Sequence, residues 1–217
     1  MEKILCPSIL NLPIDRLKEE ILQLDQAGVD IFHVDIMDGS FVPNFGMSLR
    51  EMDLIRANTD KLIDCHMMVM QPHRHVEAVA DHGADIIYIH PESEICPSET
   101  LNMIRSLGKR AGLVLNPCTS LESVRDMLPI TDYLMVMGVN PGYAGRSFMD
   151  YLLPKFERIA QLRKDYNFHV VLDGGATREV ISTLYHRYQV EGFVLGKQEL
   201  FFQDRPYDEC IRFVRSL

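Results

Sequence analysis

Eight alternations of a short apolar strand with an amphipathic helix predict an α/β fold, a (β/α)8 TIM barrel in a single domain over residues 1–217. Three observations carry that expectation. The alternation is strict, which calls for a parallel sheet with right-handed crossovers. The first strand is followed by Asn11, Leu12 and Pro13, so the glycine-rich turn of an open, dinucleotide-binding sheet is missing. The polar residues gather at the ends of strands, where such a barrel builds its active site.

Each unit opens with a run of β-branched or apolar residues, passes a Pro, Gly, Asn or Asp, and continues with helical apolar spacing. The first strand, 4–9, leads into a helix over 14–27. There Ile14, Leu17, Ile21, Leu22 and Leu24 recur at three- and four-residue steps on one face. Strand 31–36 precedes helix 48–58, strand 62–69 precedes helix 72–82, and strand 85–90 precedes helix 97–109. Strands 112–116, 133–139, 169–173 and 192–196 then pair with helices 120–127, 150–165, 177–187 and 207–216.

The chain carries 22 Lys+Arg against 31 Asp+Glu, a formal charge of −9. That balance argues against nucleic acid, whose phosphates are held by cationic side chains. No apolar run approaches the ~20 residues of a membrane helix. The N-terminus reads as a first strand rather than a signal peptide, so no membrane partner is expected. Five cysteines, odd in number and without a CxxC pair, make neither a disulfide framework nor a structural zinc site, and suit a reducing cytoplasm.

Strand alternation sorts the polar residues. His33, Asp35 and Met37 share one face of the second strand, with Phe32, Val34 and Ile36 on the other. Asp64, His66 and Met68 share a face of the third strand, and Asp173 ends the seventh. Any one of these is commonly a bonded core residue or a helix cap. Together, two imidazoles and two carboxylates from three strands make a first shell for one divalent ion, zinc foremost, with iron(II) or manganese as alternatives. Buried charges need such a partner.

Three glycine-bearing loops follow later strands: Gly142, Tyr143, Ala144 and Gly145 after the sixth, Gly174 and Gly175 after the seventh, and Gly196 with Lys197 after the eighth. Singly these are turns. In register they read as one phosphate cradle, with Lys197 and Arg146 as added charge. A short helix is expected at 198–202, its N–H groups aimed at the anion. Met37, Met68 and Met137 read as core filling or as an apolar wall beside the metal.

Several motifs resemble the ribulose-phosphate 3-epimerase family. They are Pro7-Ser8-Ile9-Leu10, the run from His33-Val34-Asp35 through Asp38-Gly39 to Pro43-Asn44, Asp64-Cys65-His66-Met67-Met68-Val69, Asn140-Pro141-Gly142-Tyr143-Ala144-Gly145, and Asp173-Gly174-Gly175. The resemblance runs from residue 4 to about residue 202. It implies a cytoplasmic TIM-barrel isomerase, a metal-dependent 3-epimerase of a ketose phosphate and a homo-oligomer. The substrate pair would be D-ribulose 5-phosphate and D-xylulose 5-phosphate, or D-allulose 6-phosphate and D-fructose 6-phosphate. Ile89-His90-Pro91-Glu92 and Asn116-Pro117 resemble the D-allulose 6-phosphate branch. His33, Asp35, His66 and Asp173 would hold the metal. Asp35 and Asp173 would be the acid–base pair acting through a metal-stabilised cis-enediolate. Ser8, His66 and the three methionines would meet the sugar, and residues 142–145, 174–175 and 196–197 its phosphate.

Three positions depart from the family pattern: Lys197 stands where a serine is usual, Arg146 where a glutamine is usual, and Asn140 where an acidic residue is usual. They bear on substrate identity more than on reaction type. Two other functions fit parts of the pattern. A metal-dependent barrel hydrolase needs only one general base, leaving the second aspartate idle. A diverged, non-catalytic sugar-phosphate binder would explain Lys197 and Arg146 but not the complete His/Asp set.

Overall fold

The computed structural model describes residues 2–217. Eight parallel strands form one sheet: β1 (Ile4–Pro7), β2 (Ile31–Met37), β3 (Leu62–Met68), β4 (Ile86–Ile89), β5 (Arg110–Leu115), β6 (Tyr133–Met137), β7 (His169–Asp173) and β8 (Gly192–Leu195). Their order is β1-β8-β7-β6-β5-β4-β3-β2. The ring closes between β1 and β2 through a parallel bridge of Ser8 with His33, which places Ser8 beside the polar face of β2. The expected barrel is thus the observed fold.

Six crossovers and the segment after β8 carry α-helices: α1 (Leu17–Ala27), α2 (Leu49–Arg56), α3 (Val76–Asp81), α4 (Pro97–Ser106), α5 (Leu153–Leu162), α6 (Arg178–Tyr188) and, after β8, α7 (Tyr207–Ser216). Local chemistry sets several ends. Ser48 and Glu51 form a reciprocal capping box at the start of α2, Thr177 caps α6 by accepting from the Val180 amide, and Gly28, at φ +86°, closes α1. The expected helix at 120–127 is instead a 3-10 helix, Leu121–Ile130, with Pro129 inside it. Leu121, Val124 and Leu128 still bury one face, so its apolar spacing is that of a helix. Proline supplies no N–H to an α-helical ladder.

Two apolar layers hold the barrel. Outward strand residues such as Leu5, Phe32, Val34, Leu134 and Phe193 pack with the helices. Inward residues, among them Cys6, Ile86, Tyr88, Val114, Met135 and Val171, fill the interior. Large and small alternate there. A Cβ on Gly112 would overlap the Tyr88 ring, so the missing side chain on β5 makes room for the tyrosine on β4. This filled interior forms a floor, and the polar residues stand above it at the C-terminal strand ends.

Candidate active site

Strand register brings the polar residues together. Asp35 on β2 lies beside His66 on β3, and His33 beside Asp64. Asp173 at the end of β7 pairs with Met137 on β6. His33, Asp35, His66 and Asp173 each offer a ligand atom, all within 4.8 Å of one another. His33 Nε2 is 3.2 Å from Asp35 Oδ1 and 4.0 Å from Asp173 Oδ2. His66 Nδ1 is 3.2 Å from Asp35 Oδ1 and 3.3 Å from Asp173 Oδ2. Ligands about 2.0–2.2 Å from a tetrahedral zinc stand roughly 3.3–3.6 Å apart, so this spacing suits such an ion. One atom makes the fit specific. His66 Nδ1 is buried and forms no hydrogen bond, although it faces two carboxylate oxygens, which is the arrangement of a nitrogen reserved for a cation.

Each site group is held from behind. The His33 Nδ1–H donates to Asp64 Oδ1 at 2.5 Å, leaving Nε2 for the cluster. A carboxylate behind a ligating imidazole fixes its tautomer and raises its basicity. Ser8 Oγ donates to Asp35 Oδ2 at 2.9 Å, leaving Oδ1 toward both imidazoles. His66 Nε2 lies 2.8 Å from His90 Nε2. Strand alternation alone places Asp64 on the same face as His66. Its role behind His33 needs the β2–β3 register, and the His66–His90 contact needs the end of β4.

Burial and charge oppose each other here. Burial alone would raise the Asp35 carboxyl, but the charge and hydrogen bond of His33, with the His66 imidazole alongside, hold it well below its usual range. Burial would lower His33, yet Asp64 and Asp35 carry it well above 6.5. His66 is raised against burial by Asp173 and Asp35. Asp64, with no charge beyond these imidazoles to offset its complete burial, is raised. A divalent ion would take the place of the protons that the imidazoles otherwise hold.

Above the cluster a single cavity is lined by Ser8, Asp35, Met37, Met68, Met137, Gly142, Tyr143, Ala144, Gly145, Asp173, Gly174, Gly175, Gly196 and Lys197. His33 and His66 lie beneath it, fully buried. The lining also takes in Leu10, Asn11, Val139, Arg146, Ala176 and Gln198. Of these, only Arg146 is expected from the sequence to add charge to the phosphate cradle. Asn11 donates to the Ser8 carbonyl, a role that nothing in the sequence pattern signals.

The glycine loops differ in what constrains them. Gly174 and Gly175 both have positive φ, +91° and +71°, and a Cβ on Gly175 would lie 2.5 Å from the Phe148 nitrogen, so this pair accepts only glycine. Around Gly196 the nearest atom to a Cβ would be Asn11 Nδ2 at 3.8 Å, which leaves open space over that peptide. The β6 loop is clasped to the β2 loop, with Asn44 Nδ2 donating to the Gly142 carbonyl and Tyr143 Oη to that of Pro43.

The expected short helix at 198–202 is a hydrogen-bonded turn. The Leu200 and Phe201 amides both donate to the Gly196 carbonyl, Phe202 takes a left-handed φ of +59°, and Gln203 Nε2 covers the Lys197 carbonyl. No helical ladder develops from one shared acceptor. The Lys197 ammonium sits 5.4 Å over the Phe202 ring, and the Arg146 guanidinium 5.0 Å over Tyr143.

Comparison with known proteins places this geometry. Residues 4–200 match the model of the ribulose-phosphate 3 epimerase family. The chain belongs to this family. The ribulose-phosphate 3-epimerase of Synechocystis sp. is 43% identical over 79% of this chain and 76% of its own length. The chloroplastic ribulose-5-phosphate-3-epimerase of Arabidopsis thaliana is 34% identical over 98% of this chain and 76% of its own. The epimerase family shares its barrel with more distant proteins. The 3-keto-L-gulonate-6-phosphate decarboxylase of Vibrio cholerae superposes with a TM-score of 0.75 at 11% identity, covering 100% of this chain and 98% of that one. The 3-hexulose-6-phosphate synthase of Salmonella typhimurium gives 0.74 at 16%, covering 100% and 99%. At that identity the likeness is one of fold.

Proposed function

We propose that this family member interconverts D-ribulose 5-phosphate and D-xylulose 5-phosphate by inverting C3, with one divalent metal ion, zinc foremost, held by His33, Asp35, His66 and Asp173. The observation that carries the proposal is the four-residue group beneath the cavity, in a chain of this family. Bound there, the ion would supply a Lewis acid that stabilises negative charge developing on the sugar, which would make the C3 proton more acidic.

The chain's own residues do the rest. Asp35 and Asp173 reach the cavity from strands on opposite sides of the β1–β8 pair. One carboxylate takes the C3 proton from one face of the sugar and the other returns a proton to the opposite face, which inverts the carbon. Ser8 steadies Asp35 through Oδ2. Met37, Met68 and Met137 line the cavity, where they would keep water from the deprotonated sugar and add no competing base. The glycine loops, with Lys197 and Arg146, take the phosphate.

Glu92 and Asn116, which carry the likeness to the D-allulose 6-phosphate branch, bond to each other at 3.1 Å and do not line the cavity. The pentulose pair is therefore the substrate proposed. The five cysteines are free, three of them buried, which suits a cytoplasmic location. No helix among the described residues is long and apolar enough to cross a membrane. Exposed Phe45, Met70 and Ile95, on the loops after β2, β3 and β4, support a homo-oligomer built from the single domain of residues 1–217.

The test is a panel of pentulose and hexulose phosphates assayed with metal analysis. Conversion of D-ribulose 5-phosphate to D-xylulose 5-phosphate by protein holding one divalent ion is expected. Conversion of D-allulose 6-phosphate alone would move the substrate to the hexulose pair. Cleavage products, or no turnover on any member, would refute the epimerase and favour a hydrolase or a silent binder.

A further inference from the structure

His90 follows β4, is completely buried and is neither one of the four candidate ligands nor part of the cavity wall. Its ring stacks on His66, with centroids 5.0 Å apart and planes 25° apart. Phe41 packs against it at 4.7 Å. The two Nε2 atoms meet at 2.8 Å. A hydrogen bond between two imidazole nitrogens needs one N–H and one lone pair, so it works in one direction at a time. Nδ1 of His66 points at the carboxylates without a hydrogen bond. If Nδ1 gives its lone pair to a metal, the only proton of a neutral His66 is on Nε2, and His90 Nε2 must accept it. His90 then carries its own proton on Nδ1. The nearest acidic group on that side is Glu92, with Oε2 at 3.9 Å, and Glu92 is itself held at Oε1 by Asn116 Nδ2 and Thr119 Oγ1.

We propose that His90 is a positioning residue that sets the tautomer of His66, accepting the proton on Nε2 so that Nδ1 faces the metal as a lone pair. His90 Nδ1 has no hydrogen-bond partner, and the Glu92 charge 3.9 Å away, anchored from the β5 loop, favours the proton on that nitrogen. The two histidine ligands are thus held by different means, His33 by the Asp64 carboxylate and His66 by a neutral imidazole. The inference rests on the proposed metal site, and the two can fail separately.

The direct measurement is long-range ¹H–¹⁵N NMR on zinc-loaded wild-type protein labelled at histidine. His66 should be protonated at Nε2 and unprotonated at Nδ1, and His90 protonated at Nδ1. A His66 proton at Nδ1, or a His90 proton at Nε2, would overturn the inference without any variant having to fold. The second measurement is zinc titration of metal-stripped protein. His90→Phe keeps the ring stack and removes the acceptor, and should weaken zinc binding ~10–100-fold, as outer partners of metal ligands do. His90→Gln restores a carbonyl acceptor and should recover most of that loss, which a purely packing role would not produce. Unchanged zinc affinity in a folded His90→Phe protein would refute the inference alone. Failure of the wild type to bind zinc at all would remove the metal site, and the inference with it.

Discussion

The Ser8 hydroxyl donates to Asp35 Oδ2 over 2.9 Å, while Oδ1 of the same carboxylate faces His33 and His66 at 3.2 Å each. One oxygen is fixed by β1 and the other is presented to the cluster, so closure of the barrel between β1 and β2 orients the proposed base. Ser8→Ala should leave the fold intact and lower kcat. A hydrogen bond to a charged group is worth about 1.5–3 kcal/mol, which corresponds to roughly ten- to hundredfold in rate. Steady-state kinetics on the metal-loaded variant check this, and a change confined to KM would assign Ser8 to sugar binding alone.

Lys197 has two places to rest. Its ammonium lies over Phe202, yet the residue also lines the cavity. If it swings to the substrate phosphate, Lys197→Ser should raise KM about tenfold with kcat nearly unchanged, since uniform binding is lost at ~1.4 kcal/mol per decade. A lower KM in the serine variant would show instead that the lysine obstructs the cradle.

What could be read in advance, and what could not, follows from register. Alternation by two placed His33, Asp35 and His66 on inward faces without knowledge of the strand pairing, because facing depends only on position within each strand. The partnership of His33 with Asp64 depends on which residue of β3 lies beside it, and the contact of His66 with His90 depends on where β4 ends. Neither has a signature within one segment. The 3-10 helix over Leu121–Ile130 buries the same spacing as an α-helix, so apolar pattern could not separate the two. The turn after Gly196 is decided by Phe202 and Gln203, beyond the glycine that marks the loop.

Metal-free protein should become less stable as pH rises above neutrality. His33 and His66 bind a proton more tightly when folded than at their ordinary value of 6.5, because carboxylate neighbours outweigh burial. That contribution is complete below pH 6.5 and is lost as pH climbs through the raised folded values. Zinc competes with the same protons, so its affinity should rise over the same interval. Thermal midpoints of chelated and zinc-loaded protein across this range check both signs, and a chelated protein that gains stability with pH would contradict the charge balance described.

Gly175→Ala should damage both fold and cradle. The residue holds φ at +71° and its Cβ would press on the Phe148 backbone at 2.5 and 2.7 Å. Strain of this kind costs on the order of 1–3 kcal/mol, measurable as a lower denaturant midpoint together with a raised KM. Gly196→Ala, with open space around it, should be the milder change for stability.

In the proposed mechanism Asp35 and Asp173 each serve one face of C3. This division is tested most directly by following deuterium at C3 of D-ribulose 5-phosphate by NMR in D2O, with metal-loaded wild type, Asp35→Asn and Asp173→Asn. Wild type should give D-xylulose 5-phosphate labelled at C3. Each variant should lose inversion by at least the ~10²–10⁴-fold that general acid–base groups contribute. Near-normal inversion by either metal-loaded variant, or inversion by the wild type without uptake of solvent deuterium, would contradict the two-carboxylate mechanism.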